Sequence, residues 1–483
     1  MTDPRVAEME QLARDQGLDF FPVVFETVTP STMYNVCAYG LPTRARHWSY
    51  GRSYDHQKTH GQMGLSKVYE MIVNNNPSYA FMLDTNTTTQ NLFIAAHCFG
   101  HSDFFKNNVI FKDSDRTMAR HAAEHANRID QYIEEHGLDK VERFMDIAFA
   151  LDNHIDHGKG QYRKRYGKRK ITTHRKVDRE FDDLLRPTKS RQPSIQKKVE
   201  NATLPPHPER DLLWFFINYA PLEDWERDVL DIVREEAFYF YPQAMTKIMN
   251  EGWASYWHAE LMYLCPSVKP EEQLEFARTH EKVVQPGGNP FRINPYYLGY
   301  RIYKDIEERW NKKHKDGESD ITGRQKIFEV REEEDDTSFL RNYLTDELVR
   351  ELKLFTFGEL DDDDDRSQMD EATFYEIKDR VRDEVVESLI RPMYNNYAPK
   401  IVITDASSDK LVLRHDSREM GTLNFKYASK TLEYIWELWT APVELHTIDD
   451  DGNEIVLHFD ELGFSKISKD EELELLMDND SDD

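Results

Sequence analysis

The sequence predicts a mostly α-helical N-terminal domain followed by a small α+β domain, an antiparallel sheet with packed helices. Three observations carry this. Apolar residues recur at helical spacing through most of residues 62–313. Beyond residue 337, short β-branched runs alternate with turn signals. Hydrophobic residues make up 39% of the chain, with 26 Phe, 24 Tyr and 8 Trp, so a large core can be filled.

Taken in order, residues 1–30 predict a helix and then an extended piece, FFPVVFETV. Residues 31–60 are turn-rich, with Trp48, Tyr50 and Tyr54 among His47, His56 and His60. Helical periodicity then places helices at about 62–76, 88–107, 115–136, 139–155, 208–219, 222–264, 270–283 and 296–313. Pro242 should kink or divide the 222–264 segment just before Gln243, since proline lacks the backbone donor and crowds the preceding turn. Residues 158–207 are polar and rich in Lys and Arg, and read as a long surface excursion. Only Tyr162 and Tyr166 are interleaved with those cations, which argues against a nucleic-acid surface. A helix near 372–391 precedes strands in PKIVITDA and KLVLRHD, a helix at 425–438, and strands in APVELHTID and NEIVLHFD. The resulting organisation is a helical domain over 1–335 carrying the basic loop 158–207, an α+β domain over 336–465 and an acidic tail over 466–483. The α+β domain lacks clustered reactive side chains and reads as a docking domain.

Composition narrows the function classes. No long uncharged apolar run crosses a membrane, and the N-terminus lacks the basic and apolar segments of a signal peptide. Cys37, Cys98 and Cys265 are isolated, which fits a reducing cytoplasm and argues against both a disulfide frame and a cysteine zinc site. The net charge of −28 is spread along the chain, with runs at 332–336 and 361–365 and in the tail. An acidic surface keeps a protein soluble, and acid this pervasive points further, to a salt-rich cytoplasm as in a halophilic archaeon. Nucleotide-binding glycine loops of either common kind are absent, so no nucleotide cofactor is expected.

Chemistry concentrates in AAHCFGHSDFFKNN (95–108) and REEAFYFYPQAMTKIMNEGWASYWHAEL (234–261). His97 and His101 are four apart and share one helix face. Glu236, Gln243, Lys247, Glu251 and His258 form a second stripe, flanked by Phe, Tyr, Trp and Met. Polar groups inside apolar helices are costly without partners, so the two stripes predict one shared interior site. His97, His101, Glu251 and His258 are the candidate ligands of a divalent metal, zinc or else iron or manganese. Zinc peptidases place a Glu base directly after the first His, where this chain has Cys98; Asp103, Glu70 and Glu236 are the substitute candidates. The competing reading is a buried polar network in which Lys247 pairs with Glu251 and Gln243 and Asn250 bond backbone. His121 reads as solvent-facing, and His154 and His157 read as cations at a helix end.

The segments GLSKVYEMIVNNNPSYAF, HCFGHSDFFKNN, KIMNEGWASYWH and NPYYLGYRIYKDIEERWN, continued by GRQKIFEVREEEDDTSFLRNYLT and YASKTLEYIWELWTAPVEL, resemble the hallmark segments of the SpoVR family. The resemblance spans about residues 8–465. It implies a regulatory role under stress or starvation, tied in sporulating bacteria to spore cortex formation. It also implies two partners, a PrkA-type serine protein kinase and a DUF444 protein. The resemblance favours His125 over His121 as a site residue.

Overall fold

A computed structural model describes residues 3–62, 70–166, 204–286, 293–359, 375–379 and 381–468. Along the chain α1 (Arg5–Asp15), β1 (Val23–Val28), α2 (Pro30–Tyr39), α3 (Trp48–Gln62), β2 (Glu70–Val73) and β3 (Ser78–Leu83) lead to α4 (Thr88–Asn107). Then come α5 (Met118–His136), α6 (Leu138–Phe149), α7 (Leu212–Tyr219), α8 (Asp224–Met245), α9 (Lys247–Leu264), α10 (Pro270–Val283) and α11 (Pro295–Lys315). Next are α12 (Gly323–Glu333), α13 (Asp336–Tyr343), α14 (Asp346–Glu351), β4 (Thr356–Glu359), β5 (Tyr375–Asp379) and α15 (Arg382–Ile390). The chain closes with β6 (Ile401–Ala406), β7 (Leu411–His415), α16 (Ser417–Met420), α17 (Phe425–Trp439), β8 (Val443–Ile448), β9 (Glu454–Asp460) and β10 (Gly463–Ser468).

The fold is thus mostly helical with an α+β C-terminal part, as the sequence predicts. Packing groups it into two compact units, Met1–Leu138 with Phe238–Asn396, and Asp139–Ala237 with Tyr397–Asp483. In the first unit, α4 and α9 are buried on every side. A helix apolar all round belongs inside a core. α4 starts with a capping box in which Thr87 accepts from the Gln90 amide and Gln90 returns a bond to the Thr87 amide. The two helices approach so closely at Gly100 that a Cβ there would lie 2.8 Å from Ala254 Cα. α9 meets α11 through a facing pair of glycines, Gly252 and Gly299. Phe339, Leu340, Leu348, Val349, Val386 and Ile390, from α13 to α15, complete the same core as Trp253 and Trp257.

α9 begins at a break after Pro242. Its N-cap residue, Thr246, gives no side-chain cap and instead donates its hydroxyl to Pro242 O at 2.7 Å. The cap comes from Asp336, fully buried, whose two oxygens accept the Ile248 and Met249 amides at 2.7 and 2.8 Å. Burial pushes the Asp336 carboxyl up to about 8.

Several elements differ from expectation. Residues 31–60 are largely helical, as α2 and α3, with Thr29 capping α2 and Pro30 opening it. Within the expected helix 62–76, residues 63–69 lie outside the described part and Glu70–Val73 is a strand. It pairs antiparallel with β3, which runs parallel to β1 in a sheet ordered β1-β3-β2. Within 372–391, Tyr375–Asp379 is a strand paired with β4, and only Arg382–Ile390 is helical. In the second unit the sheet runs β10-β9-β8-β7-β6 and is mixed, because β7 and β8 pair in parallel across the α17 crossover. Leu432, Ile435, Leu438 and Trp439 form the buried stripe of α17. Most of the basic excursion (167–203), the turn at 287–290, the acidic run 361–365 and the tail from 469 lie outside the described residues. Among the described residues, no helix is long and apolar enough to cross a membrane.

Candidate metal centre

α4 and α9 bring His97, His101 and Glu251 together in the first unit. One ligand atom from each lies within 4.8 Å of the others. The side chains are 4%, 6% and 5% exposed, so water does not solvate them freely. His97 Nε2 and His101 Nε2 stand 2.9 Å apart. Glu251 Oε2 is 3.3 Å from His101 Nε2 and 3.6 Å from His97 Nε2. Ligand atoms held about 2.0–2.2 Å from one ion lie about 3.0–3.5 Å from each other, so the spacing fits a shared cation. The buried group can hold a metal ion.

Each side chain is held from behind. His101 Nδ1 contacts Asn250 Oδ1 at 2.8 Å. His97 Nδ1 contacts His258 Nδ1 at 3.0 Å, and His258 Nε2 contacts His280 Nδ1 on α10 at 2.7 Å. Glu251 Oε1 pairs with Lys247, one turn earlier on α9. Glu251 Oε2 is buried and faces the two imidazole Nε2 atoms. Burial alone would raise the Glu251 carboxyl; Lys247 and the imidazoles of His101 and His97 outweigh it and hold the group well below the usual carboxylate range. Burial, with His280 and His97 nearby, drives His258 well below its ordinary value. Burial and His97 lower His280 to about 4, so both rings are neutral near pH 7.

The strand β2 contributes Glu70, whose Oε1 lies 3.9 Å from His97 Nε2. Burial raises its carboxyl against the pull of His97, and Glu251 raises it further. Tyr296, at the start of α11, stacks on His97 with ring centroids 6.1 Å apart. Burial and the carboxylates Glu251 and Glu70 push its hydroxyl well above the ordinary value. Cys98 is fully buried, and burial with the same two carboxylates keeps its thiol protonated.

The other expected site residues fall elsewhere. Asp103 is fully buried, with Oδ1 accepting from the Asp19 amide and Oδ2 from Trp253 Nε1, 3.3 Å from Arg331 Nε. It ties α4 to α9 and α12. Glu236 is buried on α8 in the second unit and is not part of the three-residue group. Gln243 is on α8, before the break, with Nε2 directed at Tyr239 O. His121 pairs with Asp115, while His125 is buried. His154 and His157 are not helix-end cations: burial, reinforced by Arg210, lowers them to about 4 and about 3. His280 and Tyr296 are not among the residues the sequence singles out. His280 lies four residues after Phe276, the buried residue of α10, so helical phase alone points it inward.

A helical protein with a buried two-histidine, one-carboxylate cluster between its central helices is the class that fold and site define. The family model described as "SpoVR like protein" matches residues 4–389. The chain is 30% identical over 491 residues to "Uncharacterized protein YcgB" of Escherichia coli (strain K12), covering 94% of this chain and 93% of that protein. The chain belongs to the SpoVR family. No solved structure matches it.

Proposed function

We propose that this SpoVR-family protein is a cytoplasmic, metal-dependent enzyme of hydrolytic type that binds one divalent ion through His97, His101 and Glu251. The observation that carries this reading is the convergence of His97 Nε2, His101 Nε2 and Glu251 Oε2, buried and within 3.6 Å of one another. The nearest imidazole neighbours of Oε2 are His101 Nε2 at 3.3 Å and His97 Nε2 at 3.6 Å; when both nitrogens are bare, as ligands require, neither donates to it. A cation at the common point serves all three atoms. Zinc, iron and manganese all suit two imidazoles and a carboxylate.

A bound ion there would supply Lewis acidity and acidify a coordinated water. The residues supply the rest. Glu70, whose Oε1 lies 3.9 Å from His97 Nε2, would take and return a proton. The Tyr296 hydroxyl stays protonated and can donate. Lys247 balances the Glu251 charge. Cys98 stands where zinc peptidases carry their base, and its protonated thiol leaves that role to Glu70.

One feature favours a second reading. The Lys247–Glu251 pair already neutralises the carboxylate, as a structural network in a non-catalytic regulatory protein would require. Metal analysis of untagged protein purified without chelator decides between them. The enzyme reading expects about one zinc, iron or manganese per chain, lost in His97→Ala, His101→Ala and Glu251→Ala, because binding free energy here is also folding free energy. Wild-type protein without stoichiometric metal leaves the network reading.

Family membership supports a place in a stress or starvation pathway, linked in spore formers to sporulation and cortex formation. The PrkA-type serine protein kinase and the DUF444 protein are the proposed partners. Co-purification of the full chain with each tests this.

A further inference from the structure

We infer that His258 is a positioning residue and not a ligand, and that with His280 it forms a histidine chain holding His97 in its metal-binding tautomer. This rests on the metal reading above.

Both ring nitrogens of His258 are already engaged. Nδ1 faces His97 Nδ1 at 3.0 Å and Nε2 faces His280 Nδ1 at 2.7 Å. Neither is left for an ion. A neutral imidazole carries one N–H and one bare nitrogen, so only two hydrogen placements give each contact a single proton. In one, His97 Nδ1–H donates to His258 Nδ1 and His258 Nε2–H donates to His280 Nδ1. His97 Nε2 is then bare and joins Glu251 Oε2. Asn250 Oδ1 does the same for His101, accepting from Nδ1–H and leaving Nε2 bare. The reverse placement puts a hydrogen on His97 Nε2, facing the site, and excludes a cation. Binding therefore selects the outward direction, and His258 provides the acceptor it needs. Metal-ligating histidines are commonly oriented in this way through their second nitrogen, usually by a carboxylate or carbonyl; here imidazoles take that place. The chain runs from a buried ligand through His258, 2% exposed and packed against Phe93 and Phe276, to half-buried His280 on α10.

The test is Zn²⁺ affinity of the full chain by chelator competition, together with the visible spectrum of the Co²⁺ form. His258→Leu fills the apolar pocket but cannot accept from His97. It should bind Zn²⁺ about 10–100-fold more weakly. Its Co²⁺ spectrum should keep the wild-type shape, because the ligand set is intact, and the urea midpoint of the metal-free protein should not fall. His258→Gln, whose amide oxygen can accept from Nδ1–H, should recover most of the loss. If His258→Leu does not fold, His280→Leu at the outer end decides, with binding about tenfold weaker expected. Wild-type affinity in the deciding variant overturns the inference. So does loss of binding and of the Co²⁺ spectrum equal to that of His97→Ala, which would make His258 a ligand. Wild-type protein that takes up no Zn²⁺ at all defeats the metal reading, and this inference with it.

Discussion

Gly252→Ala should loosen the protein where α9 crosses α11. A Cβ at Gly252 would lie 2.4 Å from Gly299 C, 2.5 Å from its Cα and 2.8 Å from Tyr300 N. All three are backbone atoms, so no rotamer change relieves them. Ordinary carbon contacts begin at about 3.5 Å, and the helices must therefore part by roughly 1 Å. Overpacking of this kind costs about 1–3 kcal/mol. With a urea dependence of about 1–3 kcal/mol per molar, the midpoint should fall by roughly 1 M. α9 also carries Glu251 and α11 carries Tyr296, so Zn²⁺ retention should weaken in the same variant. Gly51→Ala is the control. Gly51 is helical and exposed, with nothing within 4 Å of an added Cβ, and alanine there should stabilise by about 0.5–1 kcal/mol. Urea unfolding followed by tryptophan fluorescence compares the two. A Gly252→Ala midpoint equal to that of Gly51→Ala refutes the close-packing argument.

Two further outcomes follow from charge. His154 is 7% exposed and titrates near 4 in the folded chain against about 6.5 unfolded, so the unfolded chain takes up protons first as pH falls below about 6.5. Its contribution, about 3 kcal/mol, is present above that pH and lost on the way down to about 4; His154→Leu should flatten acid unfolding between pH 6.5 and 4, and an unchanged slope counts against the assignment. The net charge of −28 predicts a melting temperature that falls as KCl is lowered from molar to millimolar, and no change would remove the argument for a salt-rich cytoplasm.

The His97, His101 and Glu251 cluster was legible because its residues break a pattern. His97, His101 and Glu251 stand out as titratable groups in buried helices rich in Phe, Trp, Met and Ala, and helical phase puts His97 and His101 on one face. Their hydrogen-bond partners were less visible, because His280 and Tyr296 come from other helices, and which helices pack together is not a local property of sequence. The same limit applies to β2. A four-residue run such as Glu70–Val73 is too short for periodicity to separate strand from helix, and pairing with β3 decides it. α3 carries too few apolar residues to advertise a helix. The parallel β7–β8 pair, in contrast, could have been read from the helix between the strands, since an antiparallel hairpin needs only a short turn.

Asp336 shows most clearly how a compositional reading misses a structural residue. It sits in an acidic run whose charge suggests surface, yet it is fully buried. What calls it inside is a deficit elsewhere: α9 starts after a break with no side-chain cap of its own, and its first amides need an acceptor. Asp336 supplies it and so anchors the first turn of α9. Glu251 follows one turn later. The rotational phase that aims Glu251 at His97 and His101 therefore depends on a carboxyl group nearly ninety residues away in the chain. Neither the stripe on α9 nor the acidic run explains the site alone; the capping contact between them does.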